Sequence, residues 1–361
     1  MNGFLAKVEH WVGLNALLLV LTLFIPVAIV LEFTHANPIF VLLFSAVAII
    51  PLAAMIGEGT EALAEKVGER TGGLLNATLG NAAELIIAIV ALRQGLISLV
   101  LASITGSILG NLLLIMGLSL LIGGIRHGLQ RFDREHAGLD ATLLVLAVFT
   151  LAIPSFFNQA IEPDFKRVEF LSIGASVAIL VMYGLVILYS FTSKTREGDP
   201  QAREAHAPTG WSTKHALIVL VVAVGFIALL SEFLVSAVEP VTESLGLSEF
   251  FIGIILIPLV GNAAEHFVAV QVAAKNRMDL ALSIAIGSSL QVALFVAPLL
   301  VFISLALGHP MPLEFTVYEI LAVSAASLIA ALVSLDGRSN WLEGSMLLVL
   351  YAILAVAFFF F

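Results

Sequence analysis

Two acidic residues lie within apolar stretches of this chain, and both occur in the same five-residue sequence. Gly-Asn-Ala-Ala-Glu spans residues 80–84 and again residues 261–265, which places Glu84 and Glu265 at an offset of 181 positions. A carboxylate at the centre of a bilayer costs about 2.5–3.5 kcal/mol even on the insertion scale that gives the lowest values. This cost, met twice in identical surroundings, indicates a function, and we interpret that function as ion binding.

Oxygen ligands accompany each of these carboxylates. Asn81 and Asn262 lie three residues before the two glutamates, a spacing that places each pair on one helix face. Breaks at Gly80 and Gly261 would leave backbone carbonyls facing a cavity, where such groups are tolerated at membrane depth. Ca²⁺ binds roughly six to eight hard oxygen ligands, whereas a chain with no cysteine offers little to a thiophilic metal. The sequence therefore predicts a Ca²⁺ site built from Glu84, Glu265, Asn81, Asn262, Gly80 and Gly261.

The same two carboxylates are expected to bind protons. At close range and in a medium of low dielectric constant, both cannot stay ionised without a cation. A divalent cation and protons would then compete for one site, which is the thermodynamic basis of an antiporter. The alternative is that Glu84 and Glu265 make structural hydrogen bonds only.

Other polar residues lie close to the two motifs. Ser107 and Ser288 each follow a glycine at the same offset, and either complete the coordination shell or allow close helix packing within a G-x-x-x-G pattern. His266 directly follows the second motif, and either sets the pH response or makes an ordinary hydrogen bond. Asn111 and Gln291 are one position out of register, and either line a cavity or connect helices.

Further acidic residues form stripes at the ends of two predicted spans. Glu58 and Glu61 follow the second span, while Glu232 and Glu239 lie at the end of the seventh. One interpretation is a funnel that passes cations or protons toward the centre. The other is a set of solvated helix ends.

The composition is that of a membrane protein. Of 361 residues, 60% are hydrophobic and 12% are charged, against about a quarter charged in a soluble domain. The net charge of −10 argues against a nucleic-acid partner. Apolar runs long enough to cross about 30 Å of hydrocarbon recur along the chain. We predict an all-α membrane protein with eleven transmembrane helices, over residues 11–31, 38–57, 73–92, 96–124, 138–156, 168–193, 214–238, 248–274, 279–307, 314–335 and 341–361.

The basic residues predict how these spans are oriented. With the N-terminus in the cytoplasm, all but three of the sixteen lysines and arginines fall on the cytoplasmic side, as the positive-inside rule requires. The C-terminus is then outside, and the short loops favour a prokaryotic cell membrane. We expect an N-terminal helix over residues 1–35, then two inverted five-helix repeats, a plan common in secondary transporters. The repeats would cover residues 36–193 and 214–361, with a cytoplasmic linker over residues 194–213, and a homo-oligomer is compatible with this plan.

The two motifs resemble the α-repeats of a known family. Residues 80–88 and 261–266, supported by residues 73–78, 231–235 and 337–344, are similar to the Ca²⁺/H⁺ antiporters, the CAX branch of the calcium/cation antiporter superfamily. The α-repeats would lie near residues 72–111 and 253–292. The resemblance implies an eleven-helix fold and Ca²⁺ export from the cytosol driven by the proton gradient. It also implies that Glu84 and Glu265 are the alternately loaded ligands, that His266 matches the histidine of the family, and that Ca²⁺ and H⁺ are substrates rather than cofactors. The linker is acidic in many members and of mixed charge here.

Three other classes of function are alternatives to Ca²⁺/H⁺ exchange. The nearest is exchange of Na⁺ for Ca²⁺, or of Mn²⁺ or Na⁺ for H⁺, in the same superfamily, although Asn-Ala-Ala before each glutamate favours protons. A cation channel is a distant alternative, because two central carboxylates would trap a divalent ion. An enzyme or a nucleotide-driven pump is not expected, since the chain has no His-Glu-x-x-His sequence and no Walker A sequence.

Overall fold

The computed structural model describes residues 14–67, 69–161, 165–192 and 210–361, and this part of the chain is almost entirely helical. Within it, nine helices are long and apolar enough to cross a membrane, and a tenth span results if one bent helix pair is counted. The prediction of an all-α membrane protein is confirmed.

The helices of the first half are separated by short turns, and one of them is interrupted by a π-helical turn. They are α1 (Ala16–Leu21), α2 (Phe24–Phe33), α3 (Pro38–Val67), α4 (Glu69–Leu79), α5 (Ala82–Arg93), α6 (Ile97–Leu109), π1 (Gly110–Ile115), α7 (Met116–His127), α8 (Arg134–Ile161) and α9 (Phe165–Thr192).

The helices of the second half contain two further π-helical turns. They are α10 (Thr213–Ser236), α11 (Val238–Leu245), α12 (Glu249–Phe251), π2 (Ile252–Leu256), α13 (Ile257–Gly261), α14 (Ala263–Ala273), α15 (Met278–Gln291), π3 (Val292–Val296), α16 (Ala297–Leu307), α17 (Val317–Ser334) and α18 (Trp341–Phe359). The strands β1 (Gln130–Arg131) and β2 (Arg338–Ser339) form a two-residue antiparallel ladder.

Nine of the eleven predicted spans coincide with single membrane-length helices, and the eighth, over residues 248–274, coincides with the bent pair. The third, over residues 73–92, does not, because the chain folds there into α4 and α5, each too short to cross a bilayer alone. The sequence of α4 is also polar, Glu-Arg-Thr-Gly-Gly-Leu-Leu-Asn-Ala-Thr-Leu. The count of eleven therefore stays a prediction.

The described chain divides into two compact units. The first comprises the described residues up to Val90, those of Leu185–Leu247, and Val260–Ala264. Its main packing is of α3 along α10, where Gly59 meets Leu220: a Cβ on that glycine would lie 2.8 Å from Leu220 Cγ. Small residues at such contacts let membrane helices approach closely.

The second unit comprises Ala91–Gly184, Ser248–Leu259 and Glu265–Phe361. Here α6 packs against π2, and a Cβ on Gly106 would overlap the carbonyl oxygen of Ile254. In the same way α7 packs against α18, where a Cβ on Gly344 would overlap the backbone of Leu121. The predicted repeat boundaries stay a prediction, and all of the linker before residue 210 lies outside the described residues.

Candidate functional site

Both Gly-Asn-Ala-Ala-Glu sequences lie at a helix break. The helix α4 ends at Leu79 and α5 begins at Ala82, while α13 ends at Gly261 and α14 begins at Ala263. At the second break the helix axis bends by 61°. Glycine weakens a helix interior and asparagine is a favoured N-cap residue, so this sequence ends one helix and starts the next.

The break places each acidic residue in the first turn of a new helix. Glu84 is the third residue of α5 and Glu265 is the third residue of α14. Four N–H groups at a helix start have no partner within the helix, and together with the helix dipole they favour a negative charge there. The sequence predicts that each asparagine and its glutamate share one helix. In the structure Asn81 and Asn262 instead lie just before the helices that carry Glu84 and Glu265.

The first compact unit joins residues of the two motif copies. Asn262 donates a hydrogen bond from Nδ2 to Oε1 of Glu84 over 2.5 Å, and both side chains are buried. Gly261 makes this approach feasible, because a Cβ there would lie 2.7 Å from Glu84 Cγ. Asn81 is also buried, with 1% of its surface exposed, and Gly80 is half-buried.

The second compact unit contains a chain of three buried polar side chains. Nε2 of His266 lies 3.0 Å from Oδ1 of Asn111, and Nδ2 of Asn111 donates to Oγ of Ser288 over 3.1 Å. Because Asn111 uses its amide nitrogen as the donor to Ser288, its oxygen must accept from His266. The neutral imidazole therefore carries its proton on Nε2. Glu265 precedes His266 on α14 and is half-buried.

The two predicted serines have different surroundings. Ser107 is buried on α6 next to Gly106, whose close approach to Ile254 and Pro258 supports the packing interpretation at that glycine. Gly287 and Gly110 have open space at the Cβ position, so the G-x-x-x-G pattern is a packing surface only at its first glycine. Ser288 instead accepts the hydrogen bond from Asn111.

The acidic stripes lie in the first unit. Glu58 and Glu61 are half-buried on α3, which continues to Val67, ten residues beyond the end of the predicted span. Glu232 is half-buried on α10, whereas Glu239 is exposed in the first turn of α11. For Glu239 this exposure agrees with a solvated helix end, and a funnel through these residues stays a prediction.

The sequence model of the sodium/calcium exchanger protein family matches residues 37–192 and 215–360. The chain belongs to this family. It is 44% identical over 361 aligned residues to the Ca²⁺/H⁺ antiporter of Aphanothece halophytica, with 96% of this chain and 97% of that protein covered. It is 42% identical over 340 residues to the Ca²⁺/H⁺ antiporter ChaA of Bacillus subtilis, with 93% and 96% covered. The resemblance to the Ca²⁺/H⁺ antiporters is confirmed.

Two solved structures have the same fold as this chain. The structure of native YfkE superposes with a TM-score of 0.84 at 40% identity, covering 95% of this chain and all of that one. The H⁺/Ca²⁺ exchanger CAX superposes with a TM-score of 0.75 at 17% identity, covering 95% and 91%. At that lower identity the likeness shows the fold alone.

Asn111 connects π1 to α14 and α15, which agrees with one of its two predicted roles, a polar contact between helices. Glu319 has no role in the sequence prediction, although the residue is only 2% exposed and its Oε1 accepts a hydrogen bond from Thr105 over 3.0 Å. The signal was present, since an acidic residue within a predicted span marks a functional candidate by default.

Proposed function

We propose that this protein is a secondary transporter that exchanges Ca²⁺ for H⁺ across a membrane by alternating access. Its similarity over nearly the whole chain to proteins named Ca²⁺/H⁺ antiporter supports this function. The observation that carries the proposal is the buried Glu84 carboxylate at a helix start, in hydrogen-bond contact with Asn262 of the second motif copy.

Glu84 and Glu265 hold Ca²⁺ in this proposal. They are assisted by oxygens of Asn81, Asn262, Ser107 and Ser288 and by backbone carbonyls at Gly80 and Gly261. The Asn262 amide can serve both states of Glu84, since an amide has donor hydrogens at one end and an acceptor oxygen at the other. It donates to the carboxylate when no cation is bound, and it presents its oxygen when Ca²⁺ is bound.

Protons compete with Ca²⁺ for the same carboxylates. Each glutamate is held at a helix N-terminus, where charge is favoured, and in an apolar segment, where an uncompensated charge is costly. A bound cation or a bound proton removes that cost, so loading one displaces the other. Two carboxylates would then exchange two protons for each Ca²⁺.

The remaining parts of the architecture are proposed to follow the inverted-repeat plan. The helix breaks at Asn81 and Asn262, and the π turns that cover residues 111–115 and 292–296, recur at an offset of 181. This recurrence supports an internal duplication, and we propose that the two five-helix repeats have opposite orientations. The distribution of basic residues supports a cytoplasmic N-terminus and an external C-terminus. Glu58, Glu61, Glu232 and Glu239 would pass ions toward the site, and His266 would tune its response to pH.

The proposal is tested by ⁴⁵Ca²⁺ uptake into proteoliposomes, with and without an imposed pH gradient and without Na⁺. We expect uptake by the wild type to follow the pH gradient and uptake by Glu84→Gln to be lost. Glu343→Gln is the control, because Glu343 is a half-buried helix-capping residue of α18. Uptake that needs a Na⁺ gradient would instead identify Na⁺/Ca²⁺ exchange, and uptake unchanged in Glu84→Gln would refute the assigned site.

A further inference from the structure

Glu319 is a buried acidic residue that belongs to neither motif. It is the third residue of α17 and forms a capping box with Thr316: the Thr316 backbone N–H donates to Oε2 over 2.7 Å, and the Glu319 N–H donates to the Thr316 hydroxyl over 3.2 Å. A capping box needs only one carboxylate oxygen. The other oxygen, Oε1, accepts from the Thr105 hydroxyl on α6.

The segment before α17 explains why this carboxylate is buried. Residues 309–316 belong to no helix or strand, and Met311 and Leu313 within them are fully buried. Ser155 and Ser172 fix the segment, since Ser155 donates to the Leu313 carbonyl and the Leu313 N–H donates to Ser172, each over 3.0 Å. The helix start is thereby held inside the protein.

The position of Thr105 along α6 indicates how deep Glu319 lies. Eight residues separate Thr105 from Ile97, the first residue of α6, which corresponds to about 12 Å along a helix at 1.5 Å per residue. The carboxylate is therefore well below the end of the unit where α6 begins. No residue at the offset of 181 matches it, because residue 138 is a glycine.

A small cavity adjoins the pair. Its volume is about 20 Å³, and Thr105 and Glu319 line it together with apolar side chains of α6, α8 and α17 such as Ile108, Leu151 and Val323. One water molecule needs a cavity of roughly 10–15 Å³ and at least two polar partners. Thr105 and Glu319 border this space, and the rest of its wall is almost entirely apolar.

The charged residues of the neighbouring elements are not among the residues that line the cavity. Those of α8 are in its first two turns, eight or more residues before the cavity-lining Val148, and α6 has none. Arg338 of β2 follows the opposite end of α17, and Glu314 precedes the capping box. Among the described residues that line the cavity, Glu319 is the only titratable one, and none of them is cationic. A proton is therefore the cation that would neutralise Glu319 there.

The Thr105–Glu319 pair can hold a proton without losing its hydrogen bond. When Glu319 is ionised, Thr105 donates to it, as the structure shows. When Oε1 is protonated, Glu319 donates to the threonine oxygen, and a helical threonine hydroxyl can then donate to the carbonyl four residues earlier. A hydroxyl accepts and donates, so both protonation states fit the same geometry.

We infer that Glu319 is a third proton-binding carboxyl of the exchanger, which takes up and releases a proton during transport through the cavity it shares with Thr105. The inference rests on the proposed Ca²⁺/H⁺ exchange and extends it, because Glu319 is not a Ca²⁺ ligand. Its role is to carry protons, and Thr105 holds it in the position to do so.

The inference is tested by comparing two transport modes in proteoliposomes. One is ⁴⁵Ca²⁺ uptake driven by a pH gradient, and the other is ⁴⁵Ca²⁺ exchange for unlabelled Ca²⁺ at equal pH, which moves no net protons. We expect Glu319→Gln to lower the rate of uptake driven by the pH gradient by more than about tenfold. Groups that transfer protons often contribute more than this. Exchange of Ca²⁺ for Ca²⁺ should stay near the wild-type rate.

Matched variants separate this role from helix capping. Glu343→Gln removes the acidic residue of the Asn340–Glu343 capping box, which lacks a third partner like Thr105, and should leave both modes unchanged. Thr105→Ser keeps the hydroxyl and should retain the driven mode, whereas Thr105→Val should lose part of it. Equal losses in both modes for Glu319→Gln, or no loss in either, would overturn the inference. A wild type with neither mode would instead refute the proposed function.

Discussion

Asn262 of the second motif copy donates its amide hydrogen to Glu84 of the first copy over 2.5 Å. The two residues are far apart in sequence, yet each lies at the start of a helix that its own Gly-Asn-Ala-Ala-Glu sequence creates. A buried hydrogen bond to a charged group contributes about 1.5–3 kcal/mol. Loss of this hydrogen bond should therefore affect the Glu84 carboxylate measurably.

Replacing Asn262 by alanine should weaken Ca²⁺ binding. The variant loses both the donor to the ionised carboxylate and the oxygen offered to the cation, and a change of about 1.4 kcal/mol or more corresponds to at least about tenfold in affinity. Isothermal titration of purified protein with Ca²⁺ measures this. Asn37→Ala is the control, since Asn37 is exposed and its side chain accepts from the Ile39 backbone; an unchanged affinity in Asn262→Ala would contradict the assignment.

Gly261 should tolerate no side chain. A Cβ there would lie 2.7 Å from Glu84 Cγ, so Gly261→Ala must displace the carboxylate and should reduce proton-driven Ca²⁺ uptake by about tenfold or more, as misplacement of a reacting group does. Gly287→Ala is the matched control. It lies within α15 with open space around the Cβ position, and alanine favours a helix. Equal uptake by the two variants would show that the close approach at Gly261 is irrelevant.

Gly106 and Gly110 should differ in their effect on stability. A Cβ on Gly106 would overlap the carbonyl of Ile254, whereas Gly110 has no neighbour within reach. Overpacking of this kind costs about 1–3 kcal/mol, so Gly106→Ala should unfold at a clearly lower temperature than Gly110→Ala. Thermal unfolding of the detergent-solubilised variants, followed by tryptophan fluorescence, measures the difference. A lower unfolding temperature for Gly110→Ala than for Gly106→Ala would contradict the close packing at Gly106.

The His266–Asn111–Ser288 chain should behave as one coupled unit. Asn111 contacts both neighbours, so Asn111→Ala leaves two buried polar groups without this partner. Residues in one hydrogen-bond network show coupling energies of about 0.5–3 kcal/mol. A double-mutant cycle of Asn111→Ala and Ser288→Ala, measured by thermal unfolding, should therefore be non-additive. Simple addition of the two effects would show that the pair does not interact.

Much of the fold could be predicted because lipid imposes simple rules. Long apolar runs identified ten of the spans, and the repeated Gly-Asn sequences correctly marked where two helices break. The third span stays a prediction, because length and hydropathy identify unbroken helices and do not identify a span made of two short ones. Residues 69–93 form two short helices, and the first of them is polar.

The candidate site was predictable where residue type alone carried the argument. An acidic residue in an apolar segment is costly wherever it points, so Glu84 and Glu265 stood out. Asn111 could not be assigned in this way, because its contacts to His266 and Ser288 depend on three different helical elements. Glu319 satisfied the same rule as the motif glutamates, but it has no copy in the other half of the chain, and the search for a duplicated pattern passed over it.

The central claim is that Ca²⁺ and protons compete for Glu84 and Glu265. It is tested most directly by adding Ca²⁺ to purified protein in a weakly buffered solution that contains a pH indicator. The account predicts that the wild type releases protons as Ca²⁺ binds, and that Glu84→Gln with Glu265→Gln releases none. Saturating Ca²⁺ binding by the wild type without proton release would contradict it.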